Sequence, residues 1–202
     1  TSMQHIYDPD FQNKDLAAKT TAAFDKLADA FKTMQWANQK ENGFSPLQQK
    51  LVFFIAYHGP SENTVSNLVE EFQVTKATIS DCVKTLEQRR LLTKVLNYKD
   101  NRRFHITLTE KGKEVVAQLT EPATPIYKAL ETESSEDLKL LYTSLFSILS
   151  TLNKENTVTL SRSCQDCKAY RSDGINHAFC MQLRTQLHPE NRRIDCPKHQ
   201  PK

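Results

Sequence analysis

Residues 64–112 read TVSNLVEEFQVTKATISDCVKTLEQRRLLTKVLNYKDNRRFHITLTEKG, and the spacing of apolar residues changes along them. Behind Thr64, the apolar Leu68, Val69 and Phe72 fall on one face of a short helix. Behind Thr75, the residues Ile79, Cys82, Val83 and Leu86 repeat at i, i+3, i+4 and i+7, the stripe of a half-buried helix. A threonine hydroxyl can accept a free N–H of a first helical turn, so both threonines are expected as N-caps. Only Gln73-Val74 separates the two helices, which predicts a helix-turn-helix. After Arg90 the period falls to two. Phe104, Ile106 and Leu108 alternate with His105, Thr107 and Thr109, as in a strand with one face buried. Leu92, Val95, Leu96 and Tyr98 supply the facing strand, and Lys99-Asp100-Asn101-Arg102 the turn. A helix-turn-helix followed by a hairpin is a winged helix.

Working outward, Ser45-Pro46 opens a helix to about His58, ended by Gly59-Pro60. Before it, Leu16, Phe24, Leu27, Phe31 and Met34 recur at helical intervals, so residues 10–42 predict one long helix or a bent pair, stopped by Gly43. After it, Thr109 caps a helix that Pro122 interrupts. Ser134 or Ser135 starts a last long helix, with Leu138, Leu141, Leu145, Ile148, Leu149 and Leu152 apolar. Residues 153–163 read as a linker. The organisation is therefore an N-terminal dimerisation helix region over 1–44 and a winged helix over 45–120. A C-terminal dimerisation helix over 121–155 and a cysteine-rich segment over 160–202 follow. The fold class is mainly α with a small β-hairpin wing. Leu- and Phe-rich stripes on both flanking helices exceed what the winged helix can cover, which predicts a homodimer.

Composition removes most enzyme classes. The chain of 202 residues has four glycines, at 43, 59, 112 and 174, too dispersed for any dinucleotide, P-loop or nucleophile-elbow motif. No paired carboxylate, Ser/His/Asp or Cys/His spacing stands out, so no catalytic residue is assigned and the chain is read as a non-enzyme. The longest apolar run, Leu51 to Tyr57, is far below the roughly 20 residues of a membrane span. With no basic-then-apolar leader pattern, a cytoplasmic protein without membrane contact is expected.

The net charge of +3 hides a segregation. Residues 74–113 carry ten basic and four acidic side chains, while both flanking stretches are acidic. A basic block on a winged helix points to duplex DNA. With Ile79, Cys82, Val83 and Leu86 inward, the outward residues of the second helix and its cap are Thr75, Lys76, Thr78, Ser80, Asp81 and Lys84. These hydrogen-bonding groups and flexible cations suit a major groove. Arg102 and Arg103 at the wing tip suit the narrow, electronegative minor groove. A single surface lysine is ordinarily only solvated charge; the argument rests on the whole set.

The stretch from Ser45-Pro46-Leu47 to Thr109-Glu110-Lys111-Gly112 resembles the MarR (multiple antibiotic resistance regulator) family of transcription factors. The resemblance is carried by Thr75-Lys76-Ala77-Thr78-Ile79-Ser80, the wing Asp100-Asn101-Arg102-Arg103, and Leu108-Thr109-Glu110-Lys111-Gly112. It extends over about residues 10–152. It implies a homodimer on a pseudo-palindromic operator, usually as a repressor, with Asp100 positioning the wing and Arg102 entering the minor groove. Arg89-Arg90-Leu91 departs from the family, many members of which have a Lys-Gly pair there.

The resemblance stops before the cysteines. Cys164, Cys167, Cys180 and Cys196 lie within the last 39 residues, spaced C-x2-C, x12, C, x15, C. Two thiolates in C-x-x-C converge on one metal, and two more complete a tetrahedral set, with His199 a possible substitute. Few apolar residues surround them, so a metal centre, one per chain, is expected as the staple. An iron–sulfur cluster is favoured over zinc, because a regulator needs a signal and no other sensor is visible. Cys82 reads as a small core residue rather than a redox switch. The leading reading is a dimeric regulator whose DNA affinity follows the state of the cysteine centre. One alternative is a repressor released by a small aromatic effector near Phe31, Trp36 and Phe54, with a structural zinc. Another is a small electron-transfer protein on a winged-helix scaffold.

Overall fold

The computed structural model describes residues 5–97, 100–173 and 177–202; for Asn97 and residues 100–103 the backbone alone is described. A short helix, α1 (Pro9–Gln12), precedes α2 (Leu16–Asn42). The two are separate because Asp15 is an N-cap, its carboxylate accepting the N–H of Ala18 at 2.8 Å. Gly43 ends α2 at φ 66°, a left-handed C-cap for which glycine has no steric cost. Ser45 and Gln48 form a reciprocal capping box, which with Pro46 in the first turn starts α3 (Pro46–Tyr57). Then come α4 (Val65–Phe72) and α5 (Lys76–Gln88), capped by Thr64 and Thr75 as the sequence predicts.

Strands β1 (Leu92–Asn97) and β2 (Asp100–Leu108) pair antiparallel from Leu92↔Leu108 through Leu96↔Phe104. Helix α6 (Glu110–Gln118) follows β2. A further helix, α7 (Thr124–Leu130), was not expected from sequence; Pro125 sits in its first turn, where a missing N–H costs nothing. Helix α8 (Ser135–Lys154) is the last long one.

The core lies in the winged unit. Leu51, Leu68, Ile79, Leu86 and Ile106 are fully buried, drawn from α3, α4, α5 and β2. At roughly 1.5–3 kcal/mol for each fully buried aliphatic side chain, this cluster is the main stabilising term of the unit. Asn63 closes it. Its side-chain amide donates to the carbonyls of Ile55 and His58, and its backbone carbonyl accepts the N–H of Ile106 at 2.8 Å. The α3–α4 loop is thereby tied to the wing.

The cysteine-rich segment also folds, which composition did not suggest. Strands β3 (Tyr170–Ser172), β4 (Ala178–Cys180) and β5 (Thr185–Gln186) form a small antiparallel sheet in the order β3-β4-β5. Its core is borrowed: Phe146 and Tyr142 of α8 pack on Cys164, Ala178 and Leu187. Residues 153–163 are correspondingly no free linker. The Asn153 carbonyl oxygen accepts the N–H of Leu160, and Gln73 donates to the Thr159 hydroxyl.

Candidate nucleic-acid interface and cysteine cluster

The reading face of α5 follows from its buried face. Ile79, Val83 and Leu86 are at most 1% exposed, which fixes the rotation of the helix about its axis. Lys76, Thr78, Ser80, Asp81 and Lys84 are then all exposed, as expected of them. Thr75 is exposed too, but its hydroxyl is occupied. It accepts the N–H of Thr78 at 3.2 Å and lies 2.8 Å from the Thr78 hydroxyl. The N-terminus of α5 is thus held rigidly, with Lys76 and Ser80 one helical turn apart. Cys82 is half-buried against the core. Burial, and then the neighbouring Asp81 carboxylate, push its thiol pKa up, which suppresses the reactive thiolate.

The wing-tip residues fall partly outside the described residues. The backbone of Asp100, Arg102 and Arg103 lies in β2, and their side chains are outside the described set. The base of the wing is defined. Lys94 pairs with Glu87 at 2.7 Å and lies 5.6 Å from the Phe104 ring centre, so the strand is anchored to α5.

Two residues at the foot of the wing explain the sequence around it. Gly112 lies against Leu91: a Cβ added there would stand 2.1 Å from the Leu91 carbonyl oxygen. Thr109 organises this approach. Its hydroxyl accepts the Gly112 N–H at 3.0 Å and donates to the Arg90 carbonyl at 2.7 Å. The L-T-x-x-G pattern is therefore a packing device. Arg90 adopts φ 61°. An arginine thus holds the left-handed position that a glycine would occupy without strain. Arg89 has a structural role, its guanidinium stacked 3.9 Å over Phe44 and donating to the Gly43 carbonyl.

Of the three aromatics proposed for an effector, one is buried in the single chain and two are exposed. Phe54 is buried, stacked on His58 at 3.9 Å and edge-on to Phe72 at 5.6 Å. Trp36 and Phe31 are exposed on α2. A cavity of about 280 Å³ between α3, β2 and α6 is lined by Ile55, Tyr57, Leu108 and Val116 instead.

Of the four late cysteines, Cys164 and Cys167 share one turn, Cys180 ends β4, and Cys196 lies in the segment after Asp195. Cys164, Cys167 and Cys196 are buried, and Cys180 is half-buried. Burial raises the Cys164 pKa, the Arg193 N–H lowers it, and the nearby Cys196, Cys180 and Cys167 raise it further, so all four sulfurs share one neighbourhood. Donors point at the sulfurs: the Arg193 N–H lies 3.2 Å from Cys164 Sγ and the Gln200 N–H 3.4 Å from Cys167 Sγ. The Arg193 guanidinium is 3.7 Å from Cys196 Sγ. Among the described residues, no three His, Cys, Asp or Glu side chains are positioned to hold a metal ion as they stand. The Nε2 of His199 is buried without a hydrogen-bond partner, and the residue faces the groove lined by Asn153, Asp166 and Glu70.

Sequence reasoning missed a cluster that joins the two parts. Arg162, 11% exposed at its side chain, donates Nε and Nη2 to the Asp195 carboxylate at 2.7 and 3.1 Å, and Nη1 to Glu71 at 3.1 Å. His58 Nε2 lies 2.9 Å from Asp195, and the guanidinium stacks 4.8 Å over the Phe54 ring. Burial tends to lower the Arg162 pKa, but Asp195 and Glu71 more than reverse this and raise it. Burial tends to raise the Asp195 pKa, but Arg162 and His58 outweigh it and lower the value. A lone arginine before a cysteine and a lone aspartate 33 residues later carry no local periodicity that would have paired them.

Comparison with known proteins places the central unit. Residues 40–119 match the model of the family described as transcriptional regulator SarA/Rot. The organic hydroperoxide resistance transcriptional regulator of Bacillus subtilis (strain 168) is 34% identical over 96 residues, covering 46% of this chain and 63% of that protein. The HTH-type transcriptional regulator BilQ of Clostridioides difficile (strain CD3) is 31% identical over 74 residues, covering 36% of this chain and 50% of that one. The chain thus spans between half and two thirds of the length of these relatives. Among solved structures, S. aureus MepR in its DNA-binding conformation superposes with a TM-score of 0.58 at 21% identity, over 66% of this chain and 98% of MepR. The S. aureus MepR–DNA complex gives 0.54 at 20%, over 65% and 97%.

Proposed function

Starting from residues 40–119 as a MarR-like winged helix of the SarA/Rot transcriptional regulator family, we propose that this chain is a sequence-specific DNA-binding transcriptional regulator acting as a homodimer. The observation that carries the reading is the outward face of α5. Its inner stripe is locked in the core, its N-terminus is capped by Thr75, and Lys76, Thr78, Ser80, Asp81 and Lys84 are exposed on a basic block. A helix so fixed can offer short donors and acceptors to base edges while its lysines neutralise phosphates. Arg102 and Arg103 are assigned to the minor groove and Asp100 to holding the wing. The relatives are named as transcriptional regulators and MepR is described bound to DNA, which supports the same role here.

The homodimer reading rests on uncovered apolar surface. Leu16, Leu27, Phe31 and Trp36 on α2 and Leu140, Leu141 and Ile148 on α8 are each 39–78% exposed in the single chain. A two-fold partner would bury both helices and set two α5 helices on a pseudo-palindromic operator, one helical turn of about 34 Å apart. Repression is the expected sign.

The cysteine segment supplies the signal in this reading, as one metal centre per chain held by Cys164, Cys167, Cys180 and Cys196. What favours a centre is that four thiols share one neighbourhood, three are buried, and N–H groups of Arg193 and Gln200 are aimed at sulfur, although among the described residues no three side chains already stand in a metal-holding arrangement. Such donors stabilise thiolate and tune a centre bound there. Bound iron–sulfur would add a redox-labile body, and zinc, the alternative, a closed staple. The chain's part is to hold the thiolates and exclude water.

The test is a titration of a duplex recovered by the protein from a random-sequence pool. Lys76→Ala and Lys84→Ala should each weaken binding and reduce the salt slope by about one. Affinities that do not change with either substitution or with salt would remove the DNA-binding role and favour the electron-transfer reading.

A further inference from the structure

Building on the reading that the cysteine segment governs DNA binding, we infer that Arg162 is the positioning residue that transmits the state of that segment to the helix-turn-helix, through Glu71. The covalent neighbourhood comes first. Arg162 precedes Cys164 by two residues, and Asp195 directly precedes Cys196. The two segments run parallel at a single bridge, Arg162↔Asp195, with the Cys196 N–H donating to the Arg162 carbonyl at 3.0 Å and the Cys164 N–H to the Arg193 carbonyl at 2.9 Å. Any change that draws Cys164 and Cys196 together or apart therefore moves the backbone of both Arg162 and Asp195.

The side chains carry that movement outward. The guanidinium fork is fixed on Asp195 by two parallel bonds, so it follows the cysteine turns as one body. Its third nitrogen, Nη1, reaches Glu71 in the last turn of α4. Glu71 stands four residues before Thr75, the cap of α5, with only the Gln73 turn at φ 51° between the helices. Gln73 is itself bonded to Thr159, ahead of the cysteines. Phe54 under the guanidinium and His58 against Asp195 hold the same cluster to α3. Arg162 and Glu71 are 11% and 25% exposed at their side chains, so this arm is screened less than a surface ion pair, while Asp195, at 44%, keeps contact with water. The cluster is a mechanical joint between the thiols and the element that aims the reading helix.

Glu71→Ala separates this inference from the reading beneath it, because it cuts the arm to α4 and leaves the Arg162–Asp195 pair in place. Operator affinity is measured for protein reconstituted with iron and sulfide and for the same protein stripped by chelator, using the pool-selected duplex. In the native chain the two states should differ about tenfold or more, a usual size for coupling between sites. In Glu71→Ala the difference should fall to within about twofold, with metal content and visible absorbance of the loaded protein unchanged. A full native difference in Glu71→Ala overturns the inference. No difference in the native chain overturns the sensing reading, and amide exchange then decides the joint. Loaded Glu71→Ala should exchange faster than native across residues 65–88, and identical exchange there overturns the joint as well.

Discussion

Gly112 shows how much one missing carbon decides. A Cβ there would press on the Leu91 backbone oxygen, which cannot swing aside as a side chain could. Gly112→Ala should therefore cost about 2–3 kcal/mol by forcing the foot of the wing apart, read as a lowered denaturant midpoint with unchanged slope. Arg90 is the converse. It occupies a left-handed position, so Arg90→Gly should stabilise the fold by about 1 kcal/mol at most, strain relief being partly offset by chain entropy. Cys82 is a third case. With burial and Asp81 both opposing its thiolate, it should alkylate more slowly than a free cysteine at neutral pH, measured by mass of the labelled peptide. The Cys82 reading and the L-T-x-x-G position were legible in the sequence. The reason for the glycine was not, because the oxygen it accommodates lies 21 residues earlier, in the bend between α5 and β1.

The same division runs through the elements. Every helix of the winged unit was visible because each announces itself locally, by a cap and a period: Thr64, Thr75 and Thr109 each accept the N–H three residues on. The alternation of Phe104, Ile106 and Leu108 gave the second strand for the same reason. Helix α7 escaped because Ala123 offers no side-chain cap and seven residues are too few to establish a stripe. Strands β3 to β5 escaped because two or three residues cannot show alternation, and because their core residues, Phe146 and Tyr142, belong to α8. That dependence gives an element-scale prediction. Phe146→Ala should cost about 3–4 kcal/mol and loosen the cysteine segment first, seen as early amide exchange over residues 164–187 while α3 to α5 stay protected.

For the molecule as a whole, the parts are joined by long-range polar contacts no sequence pattern announces. Asn38 on α2 donates to the Thr120 carbonyl, and Tyr142 on α8 to the Arg192 carbonyl. Arg162 spans the cysteine turns and α4. The exposed leucines of α2 and α8, by contrast, were legible as stripes, and their partner is the proposed second copy. Leu27→Asp with Leu141→Asp should give a monomer by sedimentation and weaken operator binding by two or more orders of magnitude, since half-sites would then bind independently. Sequence recognition by α5 and the wing is what would make the chain a regulator. It is tested most directly by an equilibrium titration of the purified native chain against the pool-selected duplex and a duplex of the same composition in permuted order. At physiological salt the selected duplex should bind at least about 10³-fold tighter, with both affinities falling as salt rises. Equal affinity for the two duplexes would contradict such recognition.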